Sequence, residues 1–176
     1  MVEERSLARN GVRRSSNTPR GRPDAHGPTM SASEPSDPVS AGALAAGILE
    51  ESCRSSPADS LQLRVVRDLA LDIGRQLDAL AGLDAAPDVL AEAALRCADL
   101  ANLAACNVAQ LPPDAAPRAA MAARVAAGAV RDLRSLVETD SGAQRDEEHA
   151  ANLLRDVRGA AWRAEFAARQ VEGLPG

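Results

Sequence analysis

Between Pro87 and the Pro112-Pro113 pair, apolar residues recur at Leu90, Ala94, Cys97, Ala101, Ala104, Val108 and Leu111, in unbroken steps of four and three. A strand would throw such positions onto alternate faces, whereas a helix of 3.6 residues per turn gathers them into one stripe. Glu92, Arg96, Asp99 and Gln110 take the far side. The proline pair ends the segment, because proline supplies no amide hydrogen and clashes with the preceding turn. At the other end Pro87 suits a first helical turn, with Asp84 as the candidate cap.

The pattern repeats on either side. From about Ala58 to Leu83 the stripe is Leu63, Val66, Ala70, Ile73, Leu77 and Leu80. From about Asp114 to Thr139, with Pro117 in the first turn, it is Ala119, Ala122, Ala126, Ala129, Leu133 and Leu136. A last segment, Gln144 to Glu172, follows the Ser141-Gly142 break. Segments of about 25 residues span roughly 35–45 Å as helices. Short links force neighbours to run in opposite directions. These features predict an all-α chain, with residues 58–174 forming an antiparallel up-down-up-down four-helix bundle. Its helices should cross at about 20°. Alanine at so many stripe positions predicts close approach of the second and third segments, toward the low end of the usual interaxial range of about 8–10 Å.

Two further pieces precede this bundle. Residues 41–54 hold a short amphipathic stretch with Leu44, Ala45, Ile48 and Leu49 on one side, weakened by Gly42 and Gly47. It is too short to stand alone and must dock on something. Residues 1–40 are rich in Arg, Ser, Pro and Gly. They carry too little apolar surface to offset their ordering entropy, which predicts a disordered N-terminal tail. Met30 offers an alternative start. The first 22 residues hold six Arg against two Glu, so a nucleic-acid-binding arm is weighed against a plain solvated tail.

Several chemistries lack their residues. All twenty basic residues are Arg, and the formal net charge of −5 argues against general nucleic-acid affinity, which rests on neutralising phosphates. Cys53, Cys97 and Cys106 are an odd number without a CxxC pair, which suits a reducing cytoplasm rather than a disulfide framework. No apolar run of about 18 residues exists to span a membrane. Neither a metal site nor a cofactor is expected. Asp146-x-x-His149 is the nearest approach to a di-iron pattern, and Asp146, Glu147 and Glu148 read better as complements to a positive helix N-terminus. Cys97 lies on a core stripe as an inert thiol, and Cys106 has no histidine near it in sequence. Arg145 and His149 are spaced too closely for the helical-ribonuclease motif, and there is no glycine-rich phosphate loop.

The stretch SDPVSAGALAAGIL is similar to the Gly/Ala-rich opening helix of the cyclodeaminase–cyclohydrolase family, and AAMAARVAAGAVRDLRSLV to a later Ala-rich helix there. The resemblance implies an all-helical fold of the kind those folate enzymes have. The family's glycine triplet and its Asp-Leu-Gly segment are missing, so no site residue is carried over.

On a helical wheel the last segment carries Ala150, Leu153, Leu154, Val157, Ala160, Ala161, Ala164, Ala168 and Val171 on one arc of about 140°. Trp162 and Phe166, the chain's only aromatics, lie opposite, one turn apart. Gly159 shares their side, and Arg155, Arg158 and Arg169 flank it. Trp and Arg are favoured interface anchors. Three readings follow: the 41–54 helix covers the patch with Leu44 and Ile48, the patch is a surface for a protein partner or for self-association, or it borders a small-molecule cleft. The leading expectation is a non-enzymatic helical-bundle protein acting through protein–protein contact. The alternative is a helical enzyme or small-ligand binder, with His149, Asn102, Asn107 and Arg155 lining an inter-helix or inter-subunit cleft.

Overall fold

The computed structural model describes residues 37–55, 60–140 and 146–173. Among them all regular structure is helical: α1 (Pro38–Arg54), α2 (Leu61–Ala81), α3 (Pro87–Asn107), a 3-10 turn (Val108–Gln110), α4 (Ala116–Asp140) and α5 (Glu147–Gln170). The tail expected at residues 1–40, with Met30, lies outside the described residues as far as residue 36.

Local chemistry sets the helix starts. Asp37 accepts hydrogen bonds from the amides of Val39 and Ser40 at 3.2 and 3.3 Å, and Pro38 occupies the first turn. The helix expected from residue 41 therefore begins earlier, inside what reads in sequence as tail. Ser60 accepts from the Leu63 amide at the start of α2. Asp146 accepts from the His149 amide at 3.1 Å, with Glu147 and Glu148 in the first turn of α5. Asp84 does not cap α3. Ala86 holds the cap position without a side-chain bond, and the Asp84 carbonyl accepts from the Ala86 amide instead.

Packing centres on α3 and α4, which share the most extensive interface and have other helices on both sides. All seven residues of the α3 stripe are buried, and so are Ala91, Ala93, Ala98 and Leu100 on its flanks. α4 buries Ala119, Ala120, Ala122, Ala123, Ala126, Ala127 and Ala129, then Val130, Leu133 and Val137. Leu136, expected in the core, is exposed; the stripe steps by four from Leu133 to Val137 instead. On α2, Leu63, Val66, Ala70 and Leu77 are buried, with Ile73 and Leu80 half-buried.

α1 is an integral member of the core rather than a docked appendage. It packs on α2 and α4 and buries Val39, Ala45, Ala46, Leu49 and Cys53. Gly42 makes this possible: a Cβ there would overlap Cys97 Sγ of α3 and lie 3.1 Å from Leu77 of α2. Leu44, expected on the docking face, is exposed. α5 packs chiefly on α3 and α4.

The helix ends are tied by specific pairs. Gln62 Nε2 donates to Asn107 Oδ1 at 3.2 Å, joining the start of α2 to the end of α3. Arg118 at the start of α4 donates to Ser55 just past α1. His149 of α5 meets Asp88 of α3 at 2.8 Å, and further along Arg163 lies 3.8 Å from Asp99.

Candidate interaction surface

α5 is anchored by small residues. Ala150, Val157, Ala160, Ala161, Ala164 and Ala167 are buried, with Leu153, Leu154 and Ala168 half-buried at the edges. A core arc built largely of alanine holds α5 close to its neighbours. It leaves the larger side chains to the opposite face.

That face carries the two aromatic rings. Trp162 is 69% exposed and Phe166 51%, and their rings stack with centroids 5.8 Å apart and planes 12° from parallel. Offset stacking at this distance is a favourable aromatic arrangement. α1 does not cover them: its packing partners are α2, α4 and, less extensively, α3. The covering helix considered from the sequence is therefore corrected. α1 spends its apolar face on the core because Gly42 lets it sink against α3.

The remaining residues singled out on this helix fall as follows. Gly159 is exposed, and a Cβ there would meet nothing within 4 Å. Arg155 donates to Asn152 Oδ1 at 3.1 Å. Arg158 reaches Glu138 of α4 at 3.2 Å, and Arg169 lies 3.7 Å from Glu165. Glu138 also accepts from Arg134, and these two guanidinium groups hold its carboxyl below the ordinary value of 4.5. Arg158 and Arg169 are thus paired with carboxylates at the rim of the aromatic patch.

No protein-family model matches the chain, and no curated protein matches it. The assignment of a role rests on the residues alone.

The polar set considered for a cleft is not brought together. His149 sits at the start of α5 against Asp88, while Asn107 is buried at the far end of α3, donating to the Leu103 carbonyl at 2.8 Å. Asn102 is exposed and accepts from Cys106 Sγ at 3.6 Å. Arg155 lies on the outer face of α5. Among the described residues no group of three or more His, Cys, Asp or Glu side chains is arranged to hold a metal ion. Cys97 is fully buried, and desolvation pushes its thiol up to about 12, so it stays protonated and unreactive at neutral pH. Among the described residues no helix is long and apolar enough to cross a membrane.

Sequence reasoning missed a second surface. On α2, Leu61, Val65 and Leu69 are exposed in steps of four. Beside them a groove of about 290 Å³ runs between α2 and α3, with Leu69, Ile73 and Leu103 as its apolar lining and Asp72, Arg96 and Asp99 at its polar edge. The signal was available, since α2 carries two apolar stripes. Periodicity alone does not say which of them is covered.

Proposed function

We propose that this chain is a non-enzymatic helical-bundle protein, its consecutive helices running up and down, that acts through protein–protein contact including self-association. The outer face of α5 is the contact surface. The observation that carries this reading is the stacked pair Trp162 and Phe166, 69% and 51% exposed on a helix whose opposite face is already buried. Isolated exposed apolar residues are ordinary. Two touching rings that are the chain's whole aromatic content, bordered by arginines, match the composition of interface centres instead.

The test uses the single indole as its own reporter. Association through this face blue-shifts Trp162 emission as protein concentration rises, and Trp162→Ala lowers the molar mass in sedimentation without lowering the melting temperature of the monomer. Unchanged association in Trp162→Ala, or a large loss of monomer stability, overturns the reading.

The groove between α2 and α3 favours a second reading, a binder of small apolar molecules with a charged group. A thermal-shift screen tests it: a ligand that raises the melting temperature, with an effect lost in Leu69→Asp, supports it. A screen without such a ligand counts against it.

A further inference from the structure

The outer face of α5 has a regularity beyond its two rings. Glu148, Asn152, Arg155, Gly159, Trp162, Phe166 and Arg169 follow one another in steps of four and three, and all seven are exposed. They fall within about 100° of arc and run for roughly 32 Å along the helix. Every helix face repeats in these steps; this one centres Gly159, Trp162 and Phe166 in an exposed stripe along which a second helix can lie at a shallow crossing. α3 and α4 already occupy the other side of α5, so among the described residues no helix packs on this seam.

From this seam we infer that α5 pairs with α5 of a second copy in antiparallel register, about a two-fold axis between Gly159 and Trp162. The proposal rests on the reading of this face as a self-association surface and adds the partner, direction and register.

Three features of the residues fit that register. The first is shape. A two-fold axis at this point sets Trp162 of each copy over Gly159 of the other, the largest side chain against a backbone with nothing within 4 Å of its missing Cβ. Gly47 and Gly128 are open in the same sense, so an open glycine identifies nothing by itself. Gly159 differs because the symmetry that brings Trp162 onto it also satisfies the rest of the seam.

The second is the next pair outward. The same axis brings Arg155 against Phe166, a guanidinium against an aromatic ring, which is an attractive cation–π arrangement. Among the described residues Arg155 has no carboxylate partner, so its charge is available for this contact.

The third is charge along the helix. α5 has Glu147 and Glu148 in its first turn and Arg169 in its last. Antiparallel pairing sets Arg169 of one copy toward the acidic first turn of the other. A parallel pair in register would set Glu148 on Glu148, Arg155 on Arg155 and Arg169 on Arg169, and like charges facing each other suppress association. A two-fold interface is self-complementary by construction, and this seam meets that condition in one direction only.

Disulfide trapping of the full chain reads the register directly. Cys106 is the exposed cysteine, while Cys53 and Cys97 are buried, so a Cys106→Ser background silences adventitious exchange. In that background, Asn152→Cys and Arg169→Cys are prepared separately and then mixed. The antiparallel register places position 152 of one copy opposite 169 of the other. The mixture should therefore give a disulfide-linked heterodimer under mild oxidation, while neither variant alone gives a linked dimer. Gly159→Ala supplies the second arm. It should weaken the dimer at least roughly tenfold in sedimentation equilibrium, as expected for filling a central interface pocket, while the diluted monomer melts no lower than wild type.

The outcomes separate the two claims. If wild type dimerises and Trp162→Ala abolishes it, but each single-cysteine variant links to itself, the pairing is parallel. The register proposal then fails and the surface reading stands. A wild-type dimer untouched by Trp162→Ala overturns both. A wild-type chain that is monomeric at every accessible concentration overturns the two-fold pairing and leaves only a different protein for this face.

Discussion

Gly42 and Gly159 sit within helices of the same molecule and do opposite things. Glycine inside a helix costs about 1 kcal/mol relative to alanine, whatever surrounds it. At Gly42 that cost is offset on the spot. The missing side chain lets α1 settle against Cys97 and Leu77, so three helices meet where a Cβ has no room. At Gly159 nothing among the described residues offsets it, because none comes within 4 Å of where its Cβ would lie. The difference marks how the molecule is built. α1 closes on its neighbours at Gly42, whereas α5 at Gly159 is packed on one face and presents a seam on the other.

The contrast is broken most directly by truncating one anchor on each side. Leu49 of α1 is fully buried, and Leu49→Ala should cost about 2–5 kcal/mol through lost burial and the cavity left behind. In a thermal melt that is roughly 2–4 °C for each kcal/mol in a chain of this size. Trp162→Ala, at a dilution where the protein is monomeric, should change stability by no more than about 0.5 kcal/mol. If the small residue on α1 matters no more than the large one on α5, then α1 is an appendage after all and the comparison collapses.

Gly42→Ala is the next test and the more specific one. Helix propensity alone predicts a gain of about 1 kcal/mol. The overlap with Cys97 Sγ predicts the reverse, a net loss of about 1–3 kcal/mol from overpacking. Denaturant unfolding decides the sign. Adding Cys97→Ala should recover part of the loss, with a coupling of about 0.5–3 kcal/mol expected for residues in contact. Additive effects would mean that the two do not touch.

How much of this was legible in the sequence differs from element to element. The α3 stripe was legible, since every apolar step from Leu90 to Leu111 is buried, but its end was not: the α-helix stops at Asn107 and Val108–Gln110 form a 3-10 turn before the proline pair. Nor was the beginning of α1. Asp37 and Pro38 are a sound cap and first turn, but they sit at the end of a polar stretch with only Val39 to signal a core. Leu136 was misplaced because a stripe of 3.6-residue period can leave Leu133 by three or by four, and only the neighbouring helix decides. The exposure of Trp162 and Phe166 followed from the wheel, since a wide arc of small apolar residues already claimed the other side of α5. Where α1 would go was beyond periodicity, which describes each helix against its own axis. The choice of partner turned on one glycine finding room beside one cysteine.

Gly159→Ala carries the opposite prediction to Gly42→Ala. With no atom in the way, the alanine methyl should stabilise the isolated monomer by about 0.5–1 kcal/mol, visible as a higher melting temperature at low concentration. The two substitutions, chemically identical and both within a helix, should move stability in opposite directions. A loss at position 159 in the monomer would show that something in the chain already occupies that space, and the division between a closed side and an open one would have to be withdrawn.

The smallest effect concerns how α5 is held. Arg158, next to Gly159, is tied to Glu138 of α4, which also accepts from Arg134. Those hydrogen bonds depress the Glu138 carboxyl below 4.5 in the folded chain. A depressed folded value means the contribution to stability is fully present above the unfolded value and is lost as pH falls through the folded one. The difference in melting temperature between wild type and Glu138→Gln should therefore be present at neutral pH and vanish under acid, below the ordinary carboxylate range. It should also be slight, since the carboxylate is exposed and exposed ion pairs are weak. A large, pH-independent loss in Glu138→Gln would mean that electrostatics rather than alanine packing holds α5 to the core. The outer seam would then be only as rigid as a surface ion pair. A slight loss confined to neutral pH fits a helix fixed by the buried Val157, Ala160 and Ala164.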